Sequence, residues 1–191
     1  GMYCFLDEVE VYKGDDAFLK LPLPEPAGES NPESPYPDWQ NVASGKPVTF
    51  STPPNEPSTT DPDDARQLVD GKLSPAVPMW NDKTIVGWVT PDPVVFTVDL
   101  GTVQPIRGLA LRLGAGQAGA EWPTAVQIYV SEKGDKFSPV GDLMQMLAKK
   151  PPAQGYASFW LAADKLETYG RFVKFACSPK NLGTGNYIFV D

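Results

Sequence analysis

The sequence contains no histidine. Histidine is the commonest general acid–base residue and transition-metal ligand, so its absence excludes Ser-His-Asp and Cys-His nucleophile systems within this chain. Cysteine is nearly absent too, since Cys4 and Cys177 stand alone, which is too few for a zinc cluster. The two cysteines could form a disulfide, but two buried free thiols on strands are the simpler interpretation, and we favour it.

Basic residues are also scarce. Lysine and arginine total 16 against 24 aspartates and glutamates, a formal net charge of −8. An acidic surface disfavours nucleic acid and anionic membranes as partners, and is compatible with a neutral ligand such as a sugar. The sequence has no apolar run of about 18 residues that would span a membrane. Its N-terminus shows no signal-peptide pattern. We therefore expect no nucleic-acid partner and no membrane insertion.

Proline and glycine, by contrast, are plentiful. The 21 prolines and 17 glycines disfavour long helices and favour turns. Apolar residues alternate with other residues at 94–99, 109–113 and 126–131. Alternation puts every second side chain on one face, so each run predicts a half-buried strand. Gly101 and Gly114 are expected to end the first two strands. The pattern predicts an all-β antiparallel fold.

The chain begins with two further segments. Residues 2–14 alternate and predict a strand. Residues 15–40 are so rich in proline that they predict a linker along the surface, with Tyr36 and Trp39 as aromatic anchors. We therefore divide the chain into an N-terminal strand (1–14), a linker (15–40) and one domain (41–191), whose first strand is expected at 41–52.

Four motifs follow one another within that domain. They are N-V-A-S-G-K-P-V-T from Asn41, L-V-D-G-K from Leu68, V-F-T-V-D-L-G from Val95, and W-P-T-A-V-Q-I-Y-V-S from Trp122. In this order they resemble the discoidin, or coagulation-factor type C, domain. The resemblance implies a galactose-binding-like, jelly-roll-like antiparallel β-sandwich of roughly eight strands over residues 41–191. Many bacterial members of that family are carbohydrate-binding modules.

One short segment occurs twice. Tyr3–Asp7 (Y-C-F-L-D) resembles Tyr187–Asp191 (Y-I-F-V-D), and the resembling family places such a segment in its last strand. Residues 2–14 are then either the tail of a preceding similar domain, or a strand that fills the place of the last strand. An exposed sheet edge tends to recruit a strand, which favours the second interpretation. If the strand came from a neighbouring molecule, the result would be a strand-exchanged homodimer.

The resemblance also implies a structural calcium site at the D-G loop. Calcium prefers six to eight oxygen ligands from carboxylates and carbonyls. By position, Asp70 would give a carboxylate, Lys72 a carbonyl, and Ser74 a carbonyl or hydroxyl. Glu8 would supply the glutamate that the family takes from its last strand. The alternative is a plain Asx turn without metal, in which Asp70 accepts backbone N–H groups.

Sugar sites in this fold class lie on loops at one end of the sandwich. A sugar needs a flat aromatic ring under its C–H face and fixed donors and acceptors for its hydroxyl groups. Galactose binders of the family often use histidine, arginine and asparagine, and this chain has no histidine. Trp88, and to a lesser degree Trp122, are also expected to cap the core. The ligand-binding candidates occur in three loops: Trp80 and Asp82, Gln117, Glu121 and Trp122, and Asn181, Asn186 and Tyr187.

The resemblance favours a non-catalytic carbohydrate-binding module of a larger secreted or surface glycan-active protein. Its partners would be a glycan and neighbouring domains. The alternative is a structural or protein-interaction module that binds no sugar. We expect no enzyme activity, because the acidic runs at residues 7–10 and 61–64 read as solvated faces rather than as a facing pair of carboxylates.

Overall fold

The computed structural model describes residues 3–15, 34–180 and 188–190, and it describes side chains within all but 3–5 and 188–190. These residues form nine antiparallel strands and two one-turn helices, which confirms the all-β prediction. No helix in the described ranges is long and apolar enough to cross a membrane. In chain order the elements are β1 (Tyr3–Lys13), β2 (Val48–Phe50), α1 (Asp64–Gln67), β3 (Val86–Val89), β4 (Val94–Ala115), β5 (Ala125–Ser131), β6 (Ser138–Asp142), α2 (Leu143–Met146), β7 (Ala157–Ala163), β8 (Thr168–Ser178) and β9 (Ile188–Val190).

The long strand β4 belongs to both layers of the sandwich. Its first part pairs with β2 and β8, and β8 continues to β5 and β6. Its second part pairs with β1, β7 and β9. The predicted strand end at Gly101 is instead a bulge, because the register with β8 shifts between Asp99 and Gln104. Gly101 supplies a φ of 85°, and its N–H donates to the Asp99 carboxylate at 2.8 Å. The strand therefore bends and continues rather than stopping.

One apolar core lies between the two layers. Phe96 of β4 stacks on Phe175 of β8, with ring centroids 5.0 Å apart. Trp88 is fully buried, as predicted, and its indole N–H donates to the carbonyl of Thr52 at 2.7 Å. Cys177 is a free, buried thiol, and burial raises its pKa to about 12. The side chain of Cys4 lies outside the described residues.

Strand β1 is an interior strand of this chain. It pairs with β3 through Tyr3–Leu6 and with β4 through Leu6–Lys13. Its other edge is covered, since the Val9 N–H donates to the Leu68 carbonyl at 2.6 Å and Val11 accepts from the Val42 N–H at 2.7 Å. Residues 41–42 therefore hydrogen-bond to the edge of β1. The strand predicted at 41–52 is limited to β2, Val48–Phe50.

The acidic side chains of β1 are buried, so the expectation that residues 7–10 form a solvated face is wrong. Asp7 and Glu8 have no exposed surface and Glu10 is 2% exposed. Asp7 accepts from the guanidinium of Arg112 at 2.8 Å and from the backbone N–H of Ser74 at 2.9 Å. Charge alone predicts solvent exposure only where a strand face is uncovered, and here Arg112, the D-G loop and Ser34 contact the carboxylates.

An aromatic cluster covers the outer side of β1. Tyr36 stacks on Trp39 at 4.3 Å, and Tyr12 meets both rings edge-on. The Arg107 guanidinium lies 3.7 Å from the centre of the Trp39 ring. The Tyr12 hydroxyl also donates to the carboxylate of Glu10. The same carboxylate accepts from the hydroxyl of Ser34 at 2.8 Å. Tyr36 and Trp39 therefore anchor the end of the proline-rich segment on β1, as the sequence suggested.

We predict that Arg112→Met destabilises the fold by about 3 kcal/mol, because it leaves the buried carboxylate of Asp7 without its cation. Adding Asp7→Asn should restore much of this loss, since the uncompensated charge is then absent. The measurement is urea unfolding of both single variants and the double variant.

Arg171→Met is the matched control. Its partner Asp99 accepts two hydrogen bonds at 2.7 Å, but the two side chains are 41% and 24% exposed. That change should cost less than about 1 kcal/mol. Equal effects of the two arginine substitutions would contradict a special role for the Arg112–Asp7 pair.

Candidate functional site

The D-G loop lies directly against β1. The Gly71 N–H donates to Oε2 of Glu8 at 2.9 Å, and the Lys72 N–H donates to Oδ1 of Asp70 at 2.9 Å. The Ser74 N–H is held by Asp7 from the same strand. Glu8, Asp70, Lys72 and Ser74 therefore lie in one region. The Lys72–Asp70 hydrogen bond is the one expected of an Asx turn.

Glu8 is the unusual acidic group of this loop. Oε1 of Glu8 is buried and has no hydrogen-bond partner. Burial raises the pKa of Glu8 well above its ordinary value, and the carboxylates of Glu10 and Asp70 raise it further. Arg66 lies 3.7 Å from Asp70, on the exposed side. No three acidic or cysteine side chains cluster as metal ligands among the described residues, so a calcium ion here would also need backbone carbonyl ligands.

A second group of side chains forms what we call the Trp80 platform: Trp80, Asp82, Arg112, Tyr156 and Ser158. The half-buried Trp80 lies on a 3₁₀ turn, Met79–Asn81, and its ring meets Tyr156 edge-on at 5.2 Å. The Tyr156 hydroxyl accepts from the Met79 N–H at 2.9 Å, which fixes the turn against the start of β7.

The polar side chains of the Trp80 platform are linked. Asp82 accepts from the hydroxyl of Ser74 at 2.8 Å and from the N–H of Thr84 at 3.0 Å. Partial burial opposes ionisation of Asp82, but these hydrogen bonds outweigh it and lower its pKa. Arg112 donates to the exposed hydroxyl of Ser158 at 3.2 Å with the guanidinium that also holds Asp7.

Sequence reasoning found Trp80 and Asp82 but missed Arg112, Tyr156 and Ser158. Arg112 interrupts the apolar run L-A-L-R-L, and an arginine at that position in a half-buried strand was the available signal. Tyr156 precedes β7 and Ser158 lies in it, and tertiary contacts bring both near Trp80, so the sequence carries no local sign of this proximity.

The glycine-rich loop lies next to the Trp80 platform. Ala120 is buried in the same apolar cluster as Met79 and Ile85, against which Trp80 packs. Gly116 has a φ of 95°, and a Cβ there would collide with the carbonyl of Gly155. The glycine-rich loop therefore touches the loop that contains Gly155 at a position that only glycine permits. Gln117 is exposed on this loop and pairs with Ala120 in an isolated β-bridge.

Of the remaining ligand-binding candidates, the structure describes only Trp122 and Glu121. Trp122 is half-buried against the main core and Phe159, and its indole N–H donates to the Pro152 carbonyl at 2.8 Å. This environment fits the core-capping alternative. Glu121 pairs with Lys180 at 3.3 Å. Asn181, Asn186 and Tyr187 lie outside the described residues.

Three shallow surface cavities of about 420, 340 and 420 Å³ lie on other parts of the described surface. The 340 Å³ cavity, for example, is lined by Thr97, Phe137 and Lys174 of the opposite layer. None of the three is lined by Trp80 or Trp122.

Solved structures similar to this chain include carbohydrate-binding modules. CpGH89CBM32-6 produced by Clostridium perfringens is 17% identical, with 74% of this chain and 91% of that chain covered and a TM-score of 0.42. CpGH89CBM32-5 from the same organism, solved with GalNAc-β-1,3-galactose, is also 17% identical, with coverages of 71% and 85% and a TM-score of 0.43. A Streptococcus pneumoniae fucose binding module, SpX-3, is 14% identical, with coverages of 73% and 87% and a TM-score of 0.43. A comparison with curated proteins found no match.

The family comparison agrees with the motifs. The F5/8 type C domain matches residues 47–183, which is well over half of the chain and includes β2 to β8. The chain belongs to the F5/8 type C, or discoidin, domain family.

Proposed function

We propose that this chain is a non-catalytic carbohydrate-binding module that acts outside the cell as part of a larger glycan-active protein. The observation that carries the proposal is the Trp80 platform on an F5/8 type C fold. It combines a half-exposed indole with a carboxylate, a guanidinium and an exposed hydroxyl.

The chemistry of the Trp80 platform suits a neutral sugar. The C–H face of a pyranose packs on an aromatic ring, and its hydroxyl groups need acceptors and donors held at fixed positions. Asp82 is an ionised acceptor whose orientation is set by Ser74 and Thr84. Arg112 and Ser158 provide donors on the neighbouring strands. Gln117 extends the polar rim from the glycine-rich loop.

We propose no catalytic role. Glycoside hydrolysis needs two carboxylates that face each other across a cleft. Among its described residues the Trp80 platform contains one carboxylate, that of Asp82. Its function would be to hold a neighbouring domain near a glycan.

The test is a glycan array with the wild-type chain, Trp80→Ala and Tyr169→Ala. The ligands named for similar structures, GalNAc-β-1,3-galactose, GlcNAc-α-1,4-galactose and fucose, are the first to include. We expect selective binding by the wild type and a loss of about tenfold or more in Trp80→Ala, equivalent to ~1.4 kcal/mol.

Tyr169 is the matched control, because this aromatic side chain is 44% exposed and lines one of the cavities elsewhere. Tyr169→Ala should bind like the wild type. A blank array from a chain shown to be folded would reject the sugar proposal and favour the structural or protein-interaction module. Unchanged binding by Trp80→Ala would move the site away from the Trp80 platform.

We also propose that the D-G loop and β1 hold a structural calcium ion. Glu8 and Asp70 would supply carboxylate oxygens, and Lys72 and Ser74 carbonyl or hydroxyl oxygens. The support is the unpartnered oxygen of Glu8 and the mutual repulsion of its buried carboxylate with Asp70. A bound cation would remove that repulsion and bring the D-G loop and the N-terminal strand together.

Thermal unfolding with added calcium, compared with chelator, tests this proposal. Calcium should raise the Tm of the wild type, because an ion that binds only the folded state stabilises it. Glu8→Gln should lose this increase, whereas Glu121→Gln, at a surface ion pair, should keep it. An identical Tm in calcium and chelator would leave the Asx turn as the correct description.

A further inference from the structure

Strands β1 and β9 enter the sheet in the same register. Both pair with β3 antiparallel, and both reach Leu113 of β4. Residues at matching places in the repeated segment share their Cα partners: Cys4 and Ile188 lie opposite Trp88, Phe5 and Phe189 opposite Gly87, and Leu6 and Val190 opposite Val86 and Leu113. The sheet therefore accepts one sequence pattern from two different parts of the chain.

Beyond Leu6, strand β1 alone occupies the edge of β4 from Ile106 to Arg112 that faces away from β7, within the described residues. We call this edge, together with β3, the strand slot. The strand slot holds β1 by side chains as well as by the backbone. Asp7 contacts Ser74 and Arg112, and Glu8 contacts Gly71. These contacts favour a strand in which aspartate and glutamate follow the repeated aromatic–aliphatic pair. In β1 these residues are Asp7 and Glu8, after Phe5 and Leu6.

The link between β1 and the rest of the domain is long enough to reach another molecule. About 20 residues separate Gly14 from Ser34, and at roughly 3.1 Å per residue an extended proline-rich chain of that length spans about 60 Å. In the strand slot, β1 contacts β3 and β4, and its other edge contacts Leu68 beside the D-G loop and residues 41–42. None of these contacts requires that β1 belong to the same chain.

We propose that β1 is an exchangeable strand, and that two copies of this chain associate by each placing residues 3–13 in the strand slot of the other. The same contacts form in the monomer and in the exchanged pair, so the equilibrium is set by concentration and by the connector. Strand β1 contacts Arg112 and Ser74 in the monomer and in the exchanged pair alike, so the exchange should leave the Trp80 platform unchanged.

Two single-cysteine chains test the exchange directly. Val11 exchanges its backbone hydrogen bonds with Asn41 and Val42 rather than with β4, so Val11 and its partner Leu109 form a non-hydrogen-bonded pair. Such pairs have Cα atoms about 4.5 Å apart, within disulfide range. Full-length Val11→Cys and Leu109→Cys chains, both with Cys4→Ser and Cys177→Ala, are mixed at high concentration and oxidised.

We expect a disulfide-linked heterodimer, which can form only when the strand of one chain lies in the slot of the other. The double variant Val11→Cys/Leu109→Cys on one chain is the control, and it should form an internal disulfide that verifies the geometry. If the double variant oxidises within the chain but the mixed single variants give no heterodimer, the exchange proposal is wrong.

Light scattering of the unaltered chain provides a second readout that needs no core substitution. The dimer fraction should rise with concentration, and excess synthetic peptide of residues 3–13 should return the dimer to monomer by competing for the strand slot. A monomer at all concentrations, or a dimer that the peptide does not affect, would overturn the proposal.

Discussion

The fold depends on how β4 obtains a partner along its second part. Backbone N–H and C=O groups at this edge must be paired, and the apolar side chains of Leu109 and Leu111 must be covered. Strand β1 pairs with the backbone of this edge, and its fully buried Val9 and Val11 side chains cover the leucines. The same strand brings Asp7 and Glu8 into the interior, where Arg112, Ser74 and Gly71 contact them. A buried acidic strand is tolerated because these specific partners surround it.

This arrangement links the strand slot to the proposed binding surface. Arg112 holds Asp7 with one nitrogen and donates to Ser158 with the other, so one guanidinium belongs to both regions. Ser74 similarly uses its N–H for Asp7 and its hydroxyl for Asp82. The orientation of Asp82 and Arg112 at the Trp80 platform therefore depends on β1 being in place. The proposed calcium ion would lie beside these contacts, at Glu8 and Asp70.

Alternation predicted the strands well where one face is apolar, as for Val94–Val98 and Val126–Val130. The position of Trp88 at the start of a strand predicted its burial. Alternation failed where tertiary contacts decide. Gly101 reads as a strand end, yet a bulge lets β4 continue. Asp7, Glu8 and Glu10 read as solvated, because a periodic pattern does not show that a second layer of contacts covers the other face. The D-G loop and Glu8 were paired through the family resemblance. Arg112 and Tyr156 joined the platform only once the neighbours of Trp80 were known.

Hydrogen exchange followed by mass spectrometry tests the central claim that β1 is an integral strand. Fragments covering residues 3–13 and 106–113 are compared under native conditions. If β1 completes the sandwich, the amides of Glu8, Glu10 and Tyr12 exchange as slowly as those of their partner segment, through global unfolding. If residues 3–13 exchange orders of magnitude faster while 106–113 stays protected, β1 is a loosely attached tail and the account is wrong.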